Sequence, residues 1–538
     1  MRDLSTEPVL SKVEGFDMIT SLLEDQRIVW GVAAVSFLLF LIGNLPWQLD
    51  DYDQAKQAYT SFEIIKEGRW FYQQTPHERV ATKPPLVGWV SAGLFSITRS
   101  WELAWRLPSL LAAVALAALL FRVARSAYGS IAGLVALSAF GLNLLSPRLA
   151  TLVRTDMPLA FVIFVIGLLI WQKIEAKENW KSRDRVYLFV LLTIAMLIKG
   201  PIVYAFLLPG IAMFQWRYGR VGTLRLPDAR ARGPYRTAWS GWWPWIASLA
   251  VFLLWVTGGI LFQPGFFDEV IMREFLGRFS ETLHRPQPLY FYLPHLVHKF
   301  APWSILLIAI AIFGLAPRRW RITGAFREIQ PGTFWLLCWS IGGLIVMSLI
   351  PSKRVDRIFP VIPPLCLLLA SLIGNRGPCS YGSVSRVSSS VDSDVTSDRS
   401  AAENRARRIY RWTAATLILS IFLTVGYVTW KVVTGYRQHR DALAMFGRDV
   451  LREAETRHWR FEIVSARDEG LLLYLQKTHY IEPDRAVAEW NAGNLDALVA
   501  STEKAPGLMA QLRGATVSQS KTNERKKDRG RGYLLIKR

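Results

Sequence analysis

Three carboxylates, Asp50, Asp51 and Asp53, follow directly on an apolar run from Ile28 to Pro46. That run is long enough to cross a bilayer, which takes about 20 residues. Ionisable groups at the end of such a run are costly, so a functional site is their default reading. Other ionisable candidates are Lys56, His77, Lys83, Asp156, Lys199, Arg273, Arg278, His284, Lys353 and Arg354. A few acids among many cations suits a base acting beside a bound phosphate or pyrophosphate. A carboxylate can deprotonate an acceptor hydroxyl or amine, and cations neutralise a phosphate leaving group. The sequence holds no P-loop, GxSxG elbow or HExxH motif. That argues against an ATP-driven pump and against a serine or zinc hydrolase. Plainer roles compete at each position: a helix cap for Asp53 and Asp156, a snorkelling side chain for Lys83, a topology signal for Lys199, ordinary loop residues for Arg278 and His284.

The elements that must hold these residues can be read from periodicity. From Asp53 to Glu67, Ala55, Ala58, Tyr59, Phe62 and Ile65 share one helical face, and Asp53, Lys56, Gln57, Thr60, Glu63 and Glu67 share the other. This spacing predicts an amphipathic helix lying in the membrane interface. Asp53 falls in its first turn, where the helix dipole keeps a carboxylate ionised. Lys83-Pro84-Pro85 opens a second helix, since proline fits the first helical turn. Its apolar part ends near Thr98 and is short for a span.

Of the 538 residues, 51% are hydrophobic, and apolar runs recur between residues 28 and 432, so the chain is expected to be a polytopic membrane protein. The net charge of +22 gathers largely in short loops between those runs, which fits membrane topology better than nucleic-acid binding. No cleavable signal peptide is evident before residue 28. Cys338, Cys366 and Cys379 suggest neither a disulfide framework nor a metal knuckle.

Loop charge then orients the chain. If Pro84–Thr98 stays in the outer interface, Arg122, Arg125 and the Lys173–Arg185 loop fall in the cytoplasm, and Asp53 and Asp156 fall together outside. If it crosses, the acids separate and the basic loops face outward. The first option satisfies the charge rule. The expected fold is an all-α polytopic membrane protein of about 11–13 transmembrane helices, with interfacial helices in the first outer loop and a small soluble α/β domain at the C-terminus. Its parts are a cytoplasmic segment 1–27, a transmembrane domain 28–373, a Ser-rich cytoplasmic linker 374–410, a last helix 411–435, and an outer-face domain 436–538. In that domain, RDALAMFGRDVLREAE reads as a helix, and FEIVSARD and RGYLLIKR as strands.

The segments LDDYDQAKQAY, GRW, KPPLVGW, WRLPSLLAA, RTDMPLAF, IKGP, PLYFYLP and PSKRVDRIFPVIPP occur in an order that resembles C-type glycosyltransferases, from about residue 28 to residue 373. The likeness is to the bacterial branch that includes lipid A aminoarabinose transferases, related to protein O-mannosyltransferases. KPPL, TDMPL and KGP in that order and spacing carry most of the signal. The resemblance implies a polyprenyl-phosphate sugar as donor and catalysis on the periplasmic side of a bacterial inner membrane. The family's first outer loop reads D-E-x-R-Y, and its essential carboxylate corresponds to Asp53. The family's Arg becomes Lys56, and its Glu and Tyr become Gln54 and Gln57. Asp156 matches the second acid, and Lys83 a donor-phosphate contact. In the aminoarabinose branch a Glu before K-P-P and a His in E-H-x-Q-R-F belong to a metal site. Thr82 and Phe275 replace them here, so no such metal and no added cofactor is expected.

The resemblance therefore implies a membrane glycosyltransferase that moves a sugar to a lipid, glycan or protein acceptor. Asp53 and Asp156 are the catalytic candidates. Lys56, Lys83, Lys199, Arg278, His284, Lys353 and Arg354 are the candidate substrate contacts. A lipid flippase and a non-catalytic assembly subunit are the alternatives from other classes.

Overall fold

The computed structural model describes residues 18–49, 51–221, 238–278, 286–314, 329–374, 393–464, 466, 468–521 and 532–538. Asp50, Cys379, His284, the first part of the Ser-rich linker and most of the basic C-terminal tail lie outside the described residues.

The transmembrane part contains α1 (Gln26–Ile42), α2 (Tyr52–Glu67), α3 (Leu86–Thr98), α4 (Trp101–Tyr128), α5 (Ser130–Gly141), α6 (Asp156–Ala176), α7 (Ser182–Lys199), α8 (Ile202–Val221), α9 (Trp243–Phe262), α10 (Pro331–Leu349), α11 (Ile362–Gly374) and α12 (Ser393–Arg437). Among the described residues, six helices are long and apolar enough to cross a membrane, or up to eight if each of two bent pairs is one span. Of the eleven spans read from the sequence, α5, α7 and α8 are not among these eight. At 12 residues, α5 is short, and α7 carries Arg183, Asp184, Arg185 and Lys199 at its ends. The expected return over 289–316 is not one straight helix. Its halves, Leu289–Lys299 and Trp303–Ile312, meet at 105°. Pro302 stands at the break, and proline cannot donate to the helix ladder. The second half of the expected linker, from Ser393, is helical and continuous with the last span.

The bundle closes by tight helix crossings. A Cβ on Gly342 of α10 would lie 2.6 Å from the Gly210 backbone nitrogen of α8, so these helices touch backbone to backbone. Small residues at such crossings supply the close packing that lipid tails cannot drive. Two buried indoles bond across the bundle: Trp335 Nε1 donates to Gly167 O at 3.1 Å and Trp303 Nε1 to Leu142 O at 3.0 Å.

Residues beyond 440 form α13 (Ala442–Arg457), α14 (Glu469–Tyr474) and a sheet of β1 (Phe461–Ile463), β2 (Ala497–Ser501), β3 (Thr516–Lys521) and β4 (Tyr533–Lys537). Strand order is β1-β2-β4-β3, with β1 and β2 parallel and the other pairs antiparallel. The helix and both strands expected here are present. The domain does not hang free. Its apolar residues Leu443, Phe446, Leu471 and Leu472 share one core with Leu49, Ala58, Tyr59 and Phe62 of the first loop. Leu49 N donates to Tyr474 Oη at 2.7 Å, and Leu443 N donates to Gln48 Oε1 at 3.1 Å.

Both faces of α2 are covered. Gln57, Thr60 and Glu63, on its polar face, are buried. Helix α14 packs on α2, and Glu63 pairs with Arg69 at 3.0 Å. The domain takes the apolar face of α2, and the first outer loop and α3 take the polar one, where Glu63 accepts from Gln74 N, Lys56 donates to Thr82 Oγ1 and Thr60 meets Gly88.

Candidate active site

Asp53 lies in the first turn of α2 and Asp156 in the first turn of α6. Each carboxylate therefore stands at a helix N-terminus, where unpaired amides and the dipole favour negative charge. Asp51 caps α2: its side chain accepts from Asp53 N at 3.2 Å. The two helix starts converge, which is the arrangement the charge rule required of Asp53 and Asp156.

A buried arginine ties the acids together. Arg154, 6% exposed, donates through Nη1 to Asp356 Oδ2 at 2.8 Å and through Nη2 to Asp51 Oδ2. The same Nη2 stands 3.7 Å from Asp53 Oδ2. Arg354 donates through Nη1 to Asp53 Oδ2, and Lys199 Nζ donates to Asp156 Oδ1. Burial alone would raise the Asp53 carboxyl, but Lys83, Arg354 and Arg154 outweigh it and hold it at about 2.

Lys83 lies within electrostatic reach of Asp53, Asp156, Lys199 and Lys56. Its ammonium has no hydrogen-bond or ion-pair partner among the described residues. Burial pushes it down to about 8, with Lys199 adding to that push and the two aspartates opposing it. A half-buried, unpaired ammonium near two occupied acid–cation pairs is suited to take an anion.

The remaining expected residues divide. Lys56 donates to Thr82 Oγ1 at 3.1 Å and lies near Asp53, Glu269, Glu274 and Glu469. Lys353 is buried, and its Nζ donates to Gln287 O at 2.9 Å, tying its loop to a neighbouring segment. Arg273 pairs with Glu269 at 2.9 Å. Arg278 ends the turn Leu276–Arg278, and its side chain, like all of His284, lies outside the described residues. A polar cavity of about 360 Å³ adjoins the cluster, lined in part by Asp51, Gln54, Arg106, Arg148 and Lys431.

The residues beside K-P-P do not fit a divalent metal. Thr82 Oγ1 already accepts from the Lys56 ammonium, which places a positive charge there, and the Phe275 side chain has no donor atom. Among the described residues, no three His, Cys, Asp or Glu side chains group closely enough to hold a metal ion.

Sequence reasoning missed Arg154, Asp356 and Glu469 as site residues. The first two stood inside the quoted segments RTDMPLAF and PSKRVDRIFP. Glu469 carried no local signal, because only the docking of the C-terminal domain brings it to α2.

Along nearly its whole length this chain resembles C-type glycosyltransferases in fold. Residues 82–225 match the family model described as dolichyl-phosphate-mannose-protein mannosyltransferase, a match that begins at Thr82-Lys83-Pro84-Pro85. The chain is 24% identical over 368 residues to the undecaprenyl phosphate-alpha-4-amino-4-deoxy-L-arabinose arabinosyl transferase of Edwardsiella ictaluri, covering 64% of this chain and 59% of that relative. A Sodalis glossinidius transferase of the same description is 32% identical over 127 residues, covering 23% of this chain and 21% of its own. The crystal structure of ArnT from Cupriavidus metallidurans bound to undecaprenyl phosphate superposes with a TM-score of 0.64 at 18% identity, covering 95% of this chain and 97% of that one.

Proposed function

We propose that this chain is an integral-membrane glycosyltransferase that moves a sugar, a pentose or hexose, from a polyprenyl-phosphate donor to a lipid, glycan or protein acceptor on the periplasmic face of a bacterial inner membrane. The observation that carries this reading is the unpaired Lys83 ammonium between the Asp53–Arg354 and Asp156–Lys199 pairs. The relatives named for undecaprenyl-phosphate sugar transfer support the donor class.

The donor phosphate binds Lys83, with Arg354, about one-third exposed, able to turn from Asp53 toward it. Lys199 is held by Asp156 and adds positive potential. Asp53, ionised at about 2, is a weak proton acceptor but a strong fixed negative charge. It stabilises the positive charge that develops at the anomeric carbon and orients the acceptor. Phosphate leaves as the acceptor bond forms on the opposite face, which inverts that carbon.

The buried charges support a transferase over a flippase. Glu63, Arg106, Arg154, Asp156, Lys353, Asp356 and Glu469 gather at the end of the bundle that carries Asp53, while Lys173 is in the last turn of α6, at the opposite end. A transport path calls for such groups along the spans, and among the described residues none lies between these ends.

The test is purified protein in lipid with a panel of polyprenyl-phosphate sugars and total membrane lipid, glycan and protein as acceptors, with released polyprenyl phosphate followed by mass spectrometry. Consumption of one donor with transfer of its sugar is expected. No release from any donor, with lipid visibly bound, would overturn the reading.

A further inference from the structure

We propose that Glu469, carried in by the C-terminal domain, accepts the proton from the acceptor hydroxyl or amine during transfer. This rests on the glycosyltransferase reading above and adds to it a residue from outside the transmembrane bundle.

The geometry singles out this carboxylate. Glu469 begins the short helix α14, which packs on α2, the helix that carries Asp53 and Lys56. It is 5% exposed, and its Oε2 is buried without a hydrogen-bond partner among the described residues. Its Oε1 lies 3.6 Å from His77 Nε2 of the first outer loop. A buried carboxylate oxygen with no partner is costly and calls for a purpose. Its neighbours do not neutralise it. Lys56 of α2 favours its charge, but Asp53 of α2 and Asp468 of its own segment oppose it. Tyr52 of α2 and Tyr480 of the domain also face it. His77 is held below its ordinary value by burial and by Arg79, so it stands neutral near pH 7.

The two carboxylates divide the work. Asp53, pinned by guanidinium groups, keeps its charge and takes no proton. Burial raises Glu469 to about 7, which suits a proton acceptor working near neutral pH. In the transfer step, an acceptor oxygen or nitrogen lone pair forms the bond to the anomeric carbon. The bond from that carbon to the donor phosphate oxygen breaks, and its electron pair leaves with the phosphate. The acceptor proton passes to the Glu469 carboxylate.

The experiment measures the pH dependence of single-turnover sugar transfer between pH 5 and 9, for wild type, Glu469→Gln, Glu469→Asp and His77→Ala, with thermal melting to confirm folding. Wild-type rate should rise through pH 7. Glu469→Gln should melt like wild type, lose roughly 10²-fold or more in rate, and lose that rise. Glu469→Asp should restore part of the rate and the rise, shifted in pH. His77→Ala should keep the rise. A Glu469→Gln protein that turns over at the wild-type rate, or one that keeps the rise near pH 7, overturns the proposal and leaves the glycosyltransferase reading intact. A loss matched by His77→Ala, with the rise unchanged in both, assigns Glu469 a clamping role and overturns it as well. Wild type that transfers no sugar from any donor sinks both readings.

Discussion

At the scale of single residues, the site is an exercise in charge placement. Arg154 serves three carboxylates at once, Asp51, Asp53 and Asp356. Removing one partner from a buried ionic group leaves the others uncompensated, which costs about 3–5 kcal/mol. Arg154→Ala is therefore expected to lower stability by about that amount, read as a fall in melting temperature in lipid. Lys83 gives a prediction in pH. Its ammonium is down at about 8, so it is charged below that value and neutral above it. Binding of undecaprenyl phosphate should hold steady up to about pH 8 and weaken as pH rises past it. Lys83→Ala should weaken binding roughly 10–100-fold, the worth of one charge-assisted hydrogen bond, and should flatten that alkaline decline. A titration of lipid binding by native mass spectrometry checks both. Of these residues, Asp53, Lys83, Asp156, Lys199 and Arg354 were legible in the sequence as acids and cations at the ends of apolar runs. Arg154 was not singled out, because an arginine beside a span reads as a topology signal until its three partners are seen.

At the scale of elements, helix starts and helix crossings decide the geometry. The starts of α2 and α6 put Asp53 and Asp156 at positive helix ends. The crossing of α8 and α10 depends on Gly210 and Gly342. Gly342→Ala would press a methyl to 2.6 Å from backbone and should cost about 1–3 kcal/mol as overpacking. Gly31→Ala, in the middle of α1 with nothing within 4 Å of the added Cβ, should be neutral or slightly stabilising. A pair of thermal melts compares them. Helices were legible because apolar runs and prolines mark them. The break near Pro302 and the polar burial of α2 were not, because each depends on what packs against the segment. Period alone gave α2 one wet face. The first outer loop and α3 cover it through Gln74, Thr82 and Gly88, while the docked domain takes the apolar face.

At the scale of the whole molecule, the C-terminal domain is docked on the loop that carries Asp53. Its core continues into α2 through Phe446, Leu472, Tyr59 and Phe62, and Tyr59 Oη donates to Thr478 O. A chain ending after Arg437 would uncover Leu49, Tyr59, Phe62 and Trp105, all buried now. Such a truncation should melt well below the full chain and aggregate, which size-exclusion chromatography in detergent reads directly. A domain that can be removed without loss of melting temperature would contradict the shared core. The sequence showed that a small α/β domain follows the last span. It did not show where that domain docks, because tertiary contacts between residues some 400 positions apart leave no local pattern.

The central claim is that Asp53 is the fixed charge around which sugar transfer occurs. The measurement that tests it most directly is the release of polyprenyl phosphate from the accepted donor by wild type and by Asp53→Asn, with donor binding measured on the same preparations. The account predicts that Asp53→Asn binds donor and folds, yet releases polyprenyl phosphate about 10²–10³-fold more slowly, the usual loss when one preorganised electrostatic group is removed. Equal release by the two proteins would contradict it.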